Sequence, residues 1–352
     1  MDSVRKQTED FFRNTAENGL EIRQGQVEMA DEVCTAFEKR LPLAVEAEVG
    51  IGKSFAYLVP AILKFVQDHK QIVIATSTIS LQEQLKRDAH NVLKMLGVNI
   101  DIVVAKGMKN YICKRRLKGF VSRNKQDFTA KKLLDIVRNG SQDIAKINMK
   151  IPDRILEKIT IINFGNEYCN ICESTMSCEY SAIRKQIAKG QNIVICNQNM
   201  LVSHLVNSER GRGIFAENCS AYIVDEAHNL ESKFRDAFSV SYSRKDLINR
   251  INGCLKKVSS EKLKLANRLT GSLCETIQTL YVELNRQVHQ QQKGIDEGAN
   301  SFFFTRTNEV LINAKELHRK IERFETFTEA YVPDVKQFVE GIIFLTAIML
   351  CG

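Results

Sequence analysis

Short apolar runs alternate with amphipathic segments along the first third of the chain. The runs are rich in β-branched residues and predict strands at residues 43–47, 71–76 and 100–104. Between them, segments 53–67 and 80–96 have apolar residues at three-and-four spacing, which predicts helices. Alternation of strands and helices predicts an α/β fold, with a parallel sheet that is covered by helices on both faces.

This alternation stops at residue 106 and starts again further along the chain. Apolar runs that predict more strands of the same sheet lie at 192–196, 222–224 and 342–346. We therefore predict one α/β domain that is interrupted by two insertions. The α/β domain comprises residues 1–105, 182–229 and 335–352, and the insertions comprise residues 106–181 and 230–334. The second insertion is polar and mostly helical in pattern.

A glycine-rich loop is predicted between the first strand and the first helix. Its glycines, Gly50 and Gly52, allow backbone N–H groups to surround phosphate oxygens at the start of a helix. Lys53 can reach the β- and γ-phosphates of a nucleotide, and the Ser54 hydroxyl can bind Mg²⁺. Ala47 stands where the strict phosphate-loop pattern has glycine. The loop predicts binding of Mg²⁺ and ATP.

Two acids follow the strand predicted at 222–224. A carboxylate at the carboxyl end of a parallel strand, beside a phosphate loop, is a suitable second anchor for Mg²⁺. We assign this role to Asp225, and the polarisation of the attacking water to Glu226. His228, two residues after Glu226, is expected to couple this site to other parts of the protein.

The chain has ten cysteines, and four of them lie in the first insertion. These four are Cys113, Cys169, Cys172 and Cys178. Thiolates close together in a reducing compartment are best explained by a metal, and both zinc and a [4Fe–4S] cluster fit four soft ligands. The remaining six cysteines are scattered and are predicted to be small buried hydrophobic residues.

Charge is concentrated in the same insertion. The chain has a net charge of +8, whereas residues 106–150 contain 13 Lys and Arg residues against three acids. Such a stretch favours an anionic partner such as nucleic acid. The N-terminus has no apolar core of signal-peptide length, and the longest apolar run, 342–350, has about half the length of a membrane span. We therefore expect a cytoplasmic protein without a membrane partner.

Several of these motifs resemble those of helicases. Residues 225–228, Asp-Glu-Ala-His, resemble motif II of superfamily 2 helicases. Residues 23–26 resemble the element that reads adenine, in which Arg23 and Gln26 would contact the nucleotide. Residues 74–78, with Leu81 and Gln84, resemble motif Ia, which holds the backbone of a single strand. A threonine after a strand is also a common helix cap.

The position of the cysteines makes the resemblance more specific. They lie between motif Ia and motif II, as the iron–sulfur domain does in the XPD/DinG family of DNA helicases, and residues 106–113 and 178–184 resemble that domain's flanks. The resemblance implies a RecA-like helicase domain, a [4Fe–4S] domain at 106–181 and an arch domain at 230–334. It also implies ATP-driven 5′→3′ movement on single-stranded or forked DNA, as in DNA repair or replication.

The resemblance implies further DNA contacts and a second motor domain. Candidate platforms for stacked bases are the aromatic residues Tyr111, Phe120, Phe164, Tyr168 and Tyr180, of which Tyr111 and Tyr180 are better placed to brace a cluster. Residues 344–350 resemble motif III, and the sequence leaves open whether the second RecA-like domain that follows it in the family belongs to a longer gene product or to a separate chain. Two alternatives stay open: a non-catalytic ATP- and DNA-binding module that acts with a partner, and an RNA helicase with a zinc domain.

Overall fold

The structure is a computed structural model, and its described residues form two compact units. It describes residues 3–17, 21–48, 50–162, 164, 169, 172, 176–208, 213–238, 243–255, 258–292, 307–331, 339 and 342–343. The first unit extends to Phe238 and the second begins at Ser239. Within the described residues, no helix combines the length and the apolar character that crossing a bilayer requires.

The first unit contains helices and four strands in alternating order. Its helices are α1 (Val4–Glu17), α2 (Gln24–Lys39), α3 (Lys53–Asp68), α4 (Ile79–Leu96), α5 (Lys114–Arg123), α6 (Phe128–Asn139), α7 (Asp153–Ile159), α8 (Glu179–Ala188), α9 (Gln198–Ser208) and α10 (Leu230–Phe238). Its strands are β1 (Ile72–Thr76), β2 (Ile102–Ala105), β3 (Ile193–Asn197) and β4 (Ala221–Val224).

The strands form one parallel sheet in the order β2-β3-β1-β4. Ile72 of β1 is in register with Ile193 of β3 on one side and with Ala221 of β4 on the other. Strands that are distant in sequence are therefore neighbours in the sheet, and their carboxyl ends lie at one edge. This confirms the predicted α/β class and its parallel sheet.

Both faces of the sheet are covered, as the apolar runs predicted. Ile72 and Ile74 of β1 pack in a core with residues of α1 to α4, whereas Val73 and Ala75 point into a second core with residues of α8 and α9. Successive side chains of a strand point to opposite faces, so a strand buried on both sides must be apolar at every position. All five residues of β1 are buried.

The strand predicted at residues 43–47 is wrong. Residues 41–48 have no regular structure, and Leu41, Leu43 and Val45 are 59%, 41% and 43% exposed. The physical reason is the lack of a pairing partner: among the described residues β4 is bonded to β1 alone, and no further strand lies beyond it. An alternating apolar pattern forms a strand only where another backbone supplies hydrogen bonds.

The chain between β2 and α8 has a small core of its own. This core packs helices α5, α6 and α7 around Ile112, Leu117, Leu133, Val137 and Ile155. Tyr111 and Ile112 form isolated antiparallel bridges with Asp143 and Thr160, which tie the ends of the segment together. The segment thus has its own apolar core between two strands of the sheet.

A buried ion cluster connects this segment to the sheet domain. Lys106 follows β2 directly, and its side chain is 3% exposed. Its Nζ atom donates to Asp143 Oδ2 at 2.7 Å, and it lies 2.8 Å from Glu83 Oε1 on α4. The hydrogen bond from Lys106 lowers the pKa of Glu83. Lys106, which the sequence placed in a basic surface stretch, is therefore an internal structural cation.

The second unit is helical in its described part. It contains α11 (Arg244–Leu255), α12 (Leu263–Gln292) and α13 (Asn308–Tyr331), whose apolar faces form one core. Val339 and Ile342 are buried in this core, and Ile342 and Ile343 are helical, so the predicted strand at 342–346 does not begin there. Residues 344–350, the motif III resemblance, lie outside the described residues. Helix α10, which the sequence assigned to the helical insertion, lies in the first unit.

Replacing Lys106 tests the ion cluster. Lys106→Met leaves the carboxylate of Asp143, itself 3% exposed, buried without its cation. We expect the free energy of unfolding to fall by about 3–5 kcal/mol, because an unpaired buried charge is costly. Urea unfolding followed by circular dichroism measures the change.

The exposed Lys118 on α5 provides the matched control. Lys118→Met should change the free energy of unfolding by less than about 0.5 kcal/mol. The double variant K106M/D143N removes both charges and should recover part of the lost stability. Equal stability of Lys106→Met and Lys118→Met would disprove a stabilising role for the cluster.

Candidate functional site

The glycine-rich loop has the backbone conformation that its sequence requires. Gly50 and Gly52 have φ values of 91° and 84°, in the left-handed region that residues with a Cβ atom rarely adopt. Lys53 is the first residue of α3 and Ser54 the second, so the loop leads into a helix N-terminus. Helix N-termini bind anions through free N–H groups and the helix dipole.

Arg23 and Gln26 hold this loop from α2. The guanidinium of Arg23 donates to the carbonyl of Gly50, and Gln26 Nε2 donates to the carbonyl of Gly52 at 3.0 Å. A Cβ atom on residue 52 would meet only the end of the flexible Gln26 side chain, so the left-handed backbone rather than a lack of space favours glycine there. The two residues that we predicted to contact adenine thus contact the phosphate loop itself.

The acid pair lies at the carboxyl edge of the sheet. The N–H of Asp225 donates to the carbonyl of Ala75 at 2.8 Å, which extends the pairing of β4 with β1 by one residue. Thr76 Oγ1 donates to Asp225 Oδ2 at 3.3 Å. Burial, and then the neighbouring charge of Glu226, raise the pKa of Asp225. A carboxylate in this state gains stability from a nearby cation.

Lys53 and His228 approach the second acid from two sides. Lys53 Nζ lies 4.0 Å from Glu226 Oε1 and donates to the carbonyl of Ala47 at 3.3 Å. His228 Nδ1 lies 3.4 Å from Glu226 Oε2. Glu226 itself has a φ of 55°, a left-handed conformation that is unusual for this residue type. The fold therefore brings together the loop lysine, the acid pair and His228, from parts of the chain far apart in sequence.

Gln198 supports the acid pair, a role that sequence reasoning missed. Its side chain is fully buried, and Nε2 donates to the carbonyl oxygens of Asp225 at 2.8 Å and Glu226 at 3.0 Å. Its Oε1 atom has no hydrogen-bond partner among the described residues. In the sequence, only the position of Gln198 pointed to this role: its amide comes directly after a buried strand, at the same sheet edge as the acids.

The residues resembling motif Ia have different surroundings. Thr76 is fully buried and bonded to Asp225, so its hydroxyl is not available to a DNA strand, contrary to our prediction. The side chain of Thr78 accepts the N–H of Leu81 at 3.2 Å and caps α4, which is the alternative that the sequence had left open. Gln84 is exposed on α4.

Three of the four clustered cysteines interact electrostatically. Cys113 directly precedes α5 and Cys178 directly precedes α8, and both pack against the buried pair Tyr111 and Tyr180, whose ring centroids are 5.3 Å apart. Burial mainly raises the pKa of the Cys178 thiol, and the charges of Cys113 and Cys169 raise it further.

The fourth cysteine joins this group through the backbone. The N–H of Cys172 donates to the carbonyl of Cys169 at 3.3 Å. All four cysteines are free thiols and partly buried. In the part of the chain that the structure describes, however, no three Cys, His, Asp or Glu side chains are grouped tightly enough to hold a metal ion.

Gln142 joins the two chain segments that carry Cys113 and Cys178. Its Nε2 atom donates to the carbonyl of Ile112 at 2.7 Å, and its Oε1 atom accepts the N–H of Glu179 at 2.6 Å. In return, Glu179 Oε2 accepts the N–H of Gln142 at 2.7 Å. Since Gln142 is 2% exposed, these bonds are shielded from water and fix the spacing of the two segments.

The aromatic residues predicted to stack on bases are mostly internal. Tyr111 and Tyr180 are buried, as expected for residues that brace the cysteine segment. Phe120 packs partly in the small helical core, and Phe164 contacts the ring of Tyr180 edge-on at 4.9 Å. Tyr168 lies outside the described residues. The most exposed phenylalanine of the described residues, Phe128 at 82%, was not among our candidates.

Comparison with known proteins is consistent with this geometry. Residues 24–155 match the DEAD/DEAH box helicase family. The chain is 29% identical over 239 residues to the ATP-dependent DNA helicase YoaA of Escherichia coli (strain K12), which covers 66% of the chain and 37% of that protein. It is 25% identical over 319 residues to the ATP-dependent DNA helicase DinG of Photobacterium profundum, covering 84% of the chain and 44% of the relative.

A further relative is named for a different activity. The 3′-5′ exonuclease DinG of Bacillus subtilis is 26% identical over 220 residues, covering 60% of the chain and 23% of that protein. The chain thus spans less than half the length of the curated relatives it matches. The matched family, the order of the motifs and the relatives agree with one another. Residues 24–155 therefore carry a DEAD/DEAH box helicase domain, and the chain is similar to DNA helicases named DinG and YoaA.

Proposed function

We propose that the chain is the ATP- and DNA-binding part of a 5′→3′ DNA helicase. The observation that carries this proposal is the position of Lys53 Nζ 4.0 Å from Glu226 Oε1, at the edge where Asp225 ends a parallel strand. A lysine, two carboxylates and a helix N-terminus at one point form a site for a metal-bound triphosphate. The helicase names of the relatives supply the expected use of that nucleotide.

Each residue of the nucleotide site has a proposed role. Lys53 would contact the β- and γ-phosphates, and Gly50 and Gly52 would present backbone N–H groups. Ser54 and Asp225 would hold Mg²⁺. Glu226 would orient the attacking water, with His228 beside it. Arg23 and Gln26 would bind adenine with the parts of their side chains that do not hold the loop.

The spacing of the four cysteines along the chain, rather than the present grouping of their side chains, supports a structural metal cluster. Cys113 and Cys169 act electrostatically on Cys178, and Cys172 is bonded to Cys169 through the backbone. We propose that these thiolates bind a [4Fe–4S] cluster, which would hold the segment between β2 and α8 in one shape. Residues 106–181 would then be an iron–sulfur domain, and residues 239–334, without α10, an arch domain.

Two other functions make different demands on the same sites. A module that binds ATP and DNA without turnover would show nucleotide binding but no DNA-stimulated hydrolysis. An RNA helicase with a zinc domain would prefer RNA in competition and would contain zinc. The DNA helicase proposal is favoured by the relatives, since both helicases named above are DNA helicases.

Removing the Lys53 charge tests the nucleotide site. We expect Lys53→Ala to weaken ATP binding about tenfold or more, because a charged hydrogen bond to phosphate is lost. Titration calorimetry with ATP and Mg²⁺ measures this. Hydrolysis with and without single-stranded DNA should fall to background in the variant, while DNA binding without nucleotide stays unchanged.

Lys64 is a matched control on the same helix. It pairs with Asp68 at 3.1 Å and belongs to no part of the proposed site. Lys64→Ala should bind ATP as tightly as the unchanged chain does. If Lys53→Ala retained normal ATP affinity, or if Lys53→Ala and Lys64→Ala lost the same amount of ATP affinity, the site assignment would be wrong. DNA degradation that needs no ATP would instead favour the exonuclease activity named for one relative.

Metal analysis tests the cysteine group. Protein purified without oxygen should be brown and contain about four iron atoms per chain. Cys169→Ser should lose the colour and most of the iron, because a cluster ligand is removed. Quantitative iron, sulfide and zinc analysis, together with the visible absorption spectrum, measures the change.

Cys274→Ser is the control for this experiment. Cys274 is a partly exposed cysteine on α12 with no part in the proposed cluster. Its variant should keep the iron content of the unchanged chain. Colourless protein that binds one zinc ion per chain through the same cysteines would overturn the iron–sulfur assignment.

A further inference from the structure

An exposed phenylalanine lies at the start of α6. Phe128 is the first residue of that helix and is 82% exposed, although large apolar side chains are usually buried. It does not pack in the core that Leu133, Leu134 and Val137 of the same helix form. Phe128 therefore does not stabilise this segment by packing in its core.

Cations surround this ring. Lys131 Nζ lies 5.8 Å from the ring centroid, and Lys132 is one helical turn from Phe128, which places it on the same side of α6. We define the basic aromatic patch by its exposed members: Arg123, Lys125, Phe128, Lys131, Lys132 and Arg154.

The acid nearest to the ring in sequence is directed into the structure. Asp127 is 16% exposed, its Oδ1 atom accepts the N–H of Ala130 at 2.9 Å, and its Oδ2 atom lies 4.0 Å from Arg154. Residues 123–132 contain four Lys and Arg residues and no other acid. Basic residues therefore outnumber acids around the ring in sequence, with Asp135 further along α6 close to Arg138, and the partner that suits the ring and these cations is an anion with an aromatic face.

We propose that the basic aromatic patch binds single-stranded DNA, with one base stacked on Phe128 and the backbone phosphates on the surrounding cations. This inference rests on the proposed function. Single strands present both groups at once, since every base has a face that stacks on an aromatic ring and every nucleotide carries a phosphate. Duplex DNA hides its base faces and would use only the cations.

The patch differs from the sites that the sequence suggested. Tyr111 and Tyr180 are 1% and 7% exposed, and Phe164 is in contact with Tyr180, so these rings brace the cysteine segment. Within the cation-rich stretch, Lys106 and Arg116 are also occupied: Arg116 donates to the carbonyl oxygens of Glu157, Lys158 and Thr160. The exposed side chains around Phe128 are a better match for a flexible anionic strand.

Replacing Phe128 in the full chain tests the stacked base. Phe128→Ala should weaken binding of a single-stranded oligonucleotide about 5- to 150-fold, as expected for one lost stack. Phe128→Trp should bind as tightly as the unchanged chain or more tightly. Fluorescence anisotropy measures affinity, and quenching of a 2-aminopurine base reports stacking directly.

Three controls separate base stacking on Phe128 from binding by charge, from a general effect of losing an exposed ring, and from a folding defect. Phe238 is also exposed, at 68%, but lies at the end of α10 with acids nearby in sequence, so Phe238→Ala should leave affinity unchanged. An oligonucleotide made of abasic sites should bind the unchanged chain and Phe128→Ala equally weakly. Circular dichroism melting should be the same for both variants, because neither ring is buried.

The outcomes distinguish this inference from the proposed function. If the unchanged chain binds single-stranded DNA but Phe128→Ala binds it equally well, the patch serves another partner and this inference is wrong, while the helicase proposal stands. If the unchanged chain binds neither single-stranded DNA nor ATP, the proposed function fails first. Loss of affinity and of 2-aminopurine quenching only in Phe128→Ala supports the stacked base.

Discussion

The parallel pairing of β1 with β4 is the constraint on which the candidate site depends. Because Ala75 and Val224 are in register, the next residue, Asp225, lies beside Thr76 and is hydrogen-bonded to Ala75 and Thr76 at the end of β1. Glu226 then turns toward Lys53 at the start of α3. A shift of one residue would turn the acids to the opposite face of the sheet. The positions of Asp225 and Glu226 are therefore determined more by backbone hydrogen bonds than by contacts among the site residues.

This arrangement places two carboxylates side by side on a strained turn, and the protein supports them in separate ways. The left-handed backbone of Glu226 costs on the order of 1–3 kcal/mol. Gln198 offsets this with hydrogen bonds to both carbonyl oxygens of the pair. Repulsion between the acids and the burial of Asp225 raise the pKa of that carboxyl. A divalent cation with its bound phosphates would relieve the repulsion between the two carboxylates. The acid pair is therefore more stable with this ligand bound than without it.

The cysteine-bearing segment is joined to the sheet domain through Lys106 and Asp143, each 3% exposed, and through Glu83, which is 41% exposed. Lys106 connects Glu83 on α4 to Asp143, and the adjacent Gln142 connects the chain before Cys113 to the chain after Cys178. Helix α4 starts at the sheet edge that carries Asp225. The ion pairs of Lys106 and the hydrogen bonds of Gln142 thus link α4 to the two chain segments that carry Cys113 and Cys178. A rigid connection of this kind suits a motor whose proposed DNA contacts, including Phe128, lie on the inserted segment.

The sequence alone determined the α/β class, the parallel sheet, the phosphate loop and the acid box, because periodicity and glycine placement are local properties of the chain. It did not determine that residues 43–47 lack a strand, since a strand needs a partner that may lie anywhere in the chain. Nor did it show that Thr76 faces Asp225, that Gln198 holds the acid pair, or that Lys106 is buried while Phe128 is exposed. Those features depend on which elements pack together. A side chain is buried only when residues from several elements surround it, and these residues are often distant in sequence. The motifs were therefore readable from sequence, whereas the partner of each polar side chain was decided only by the tertiary structure.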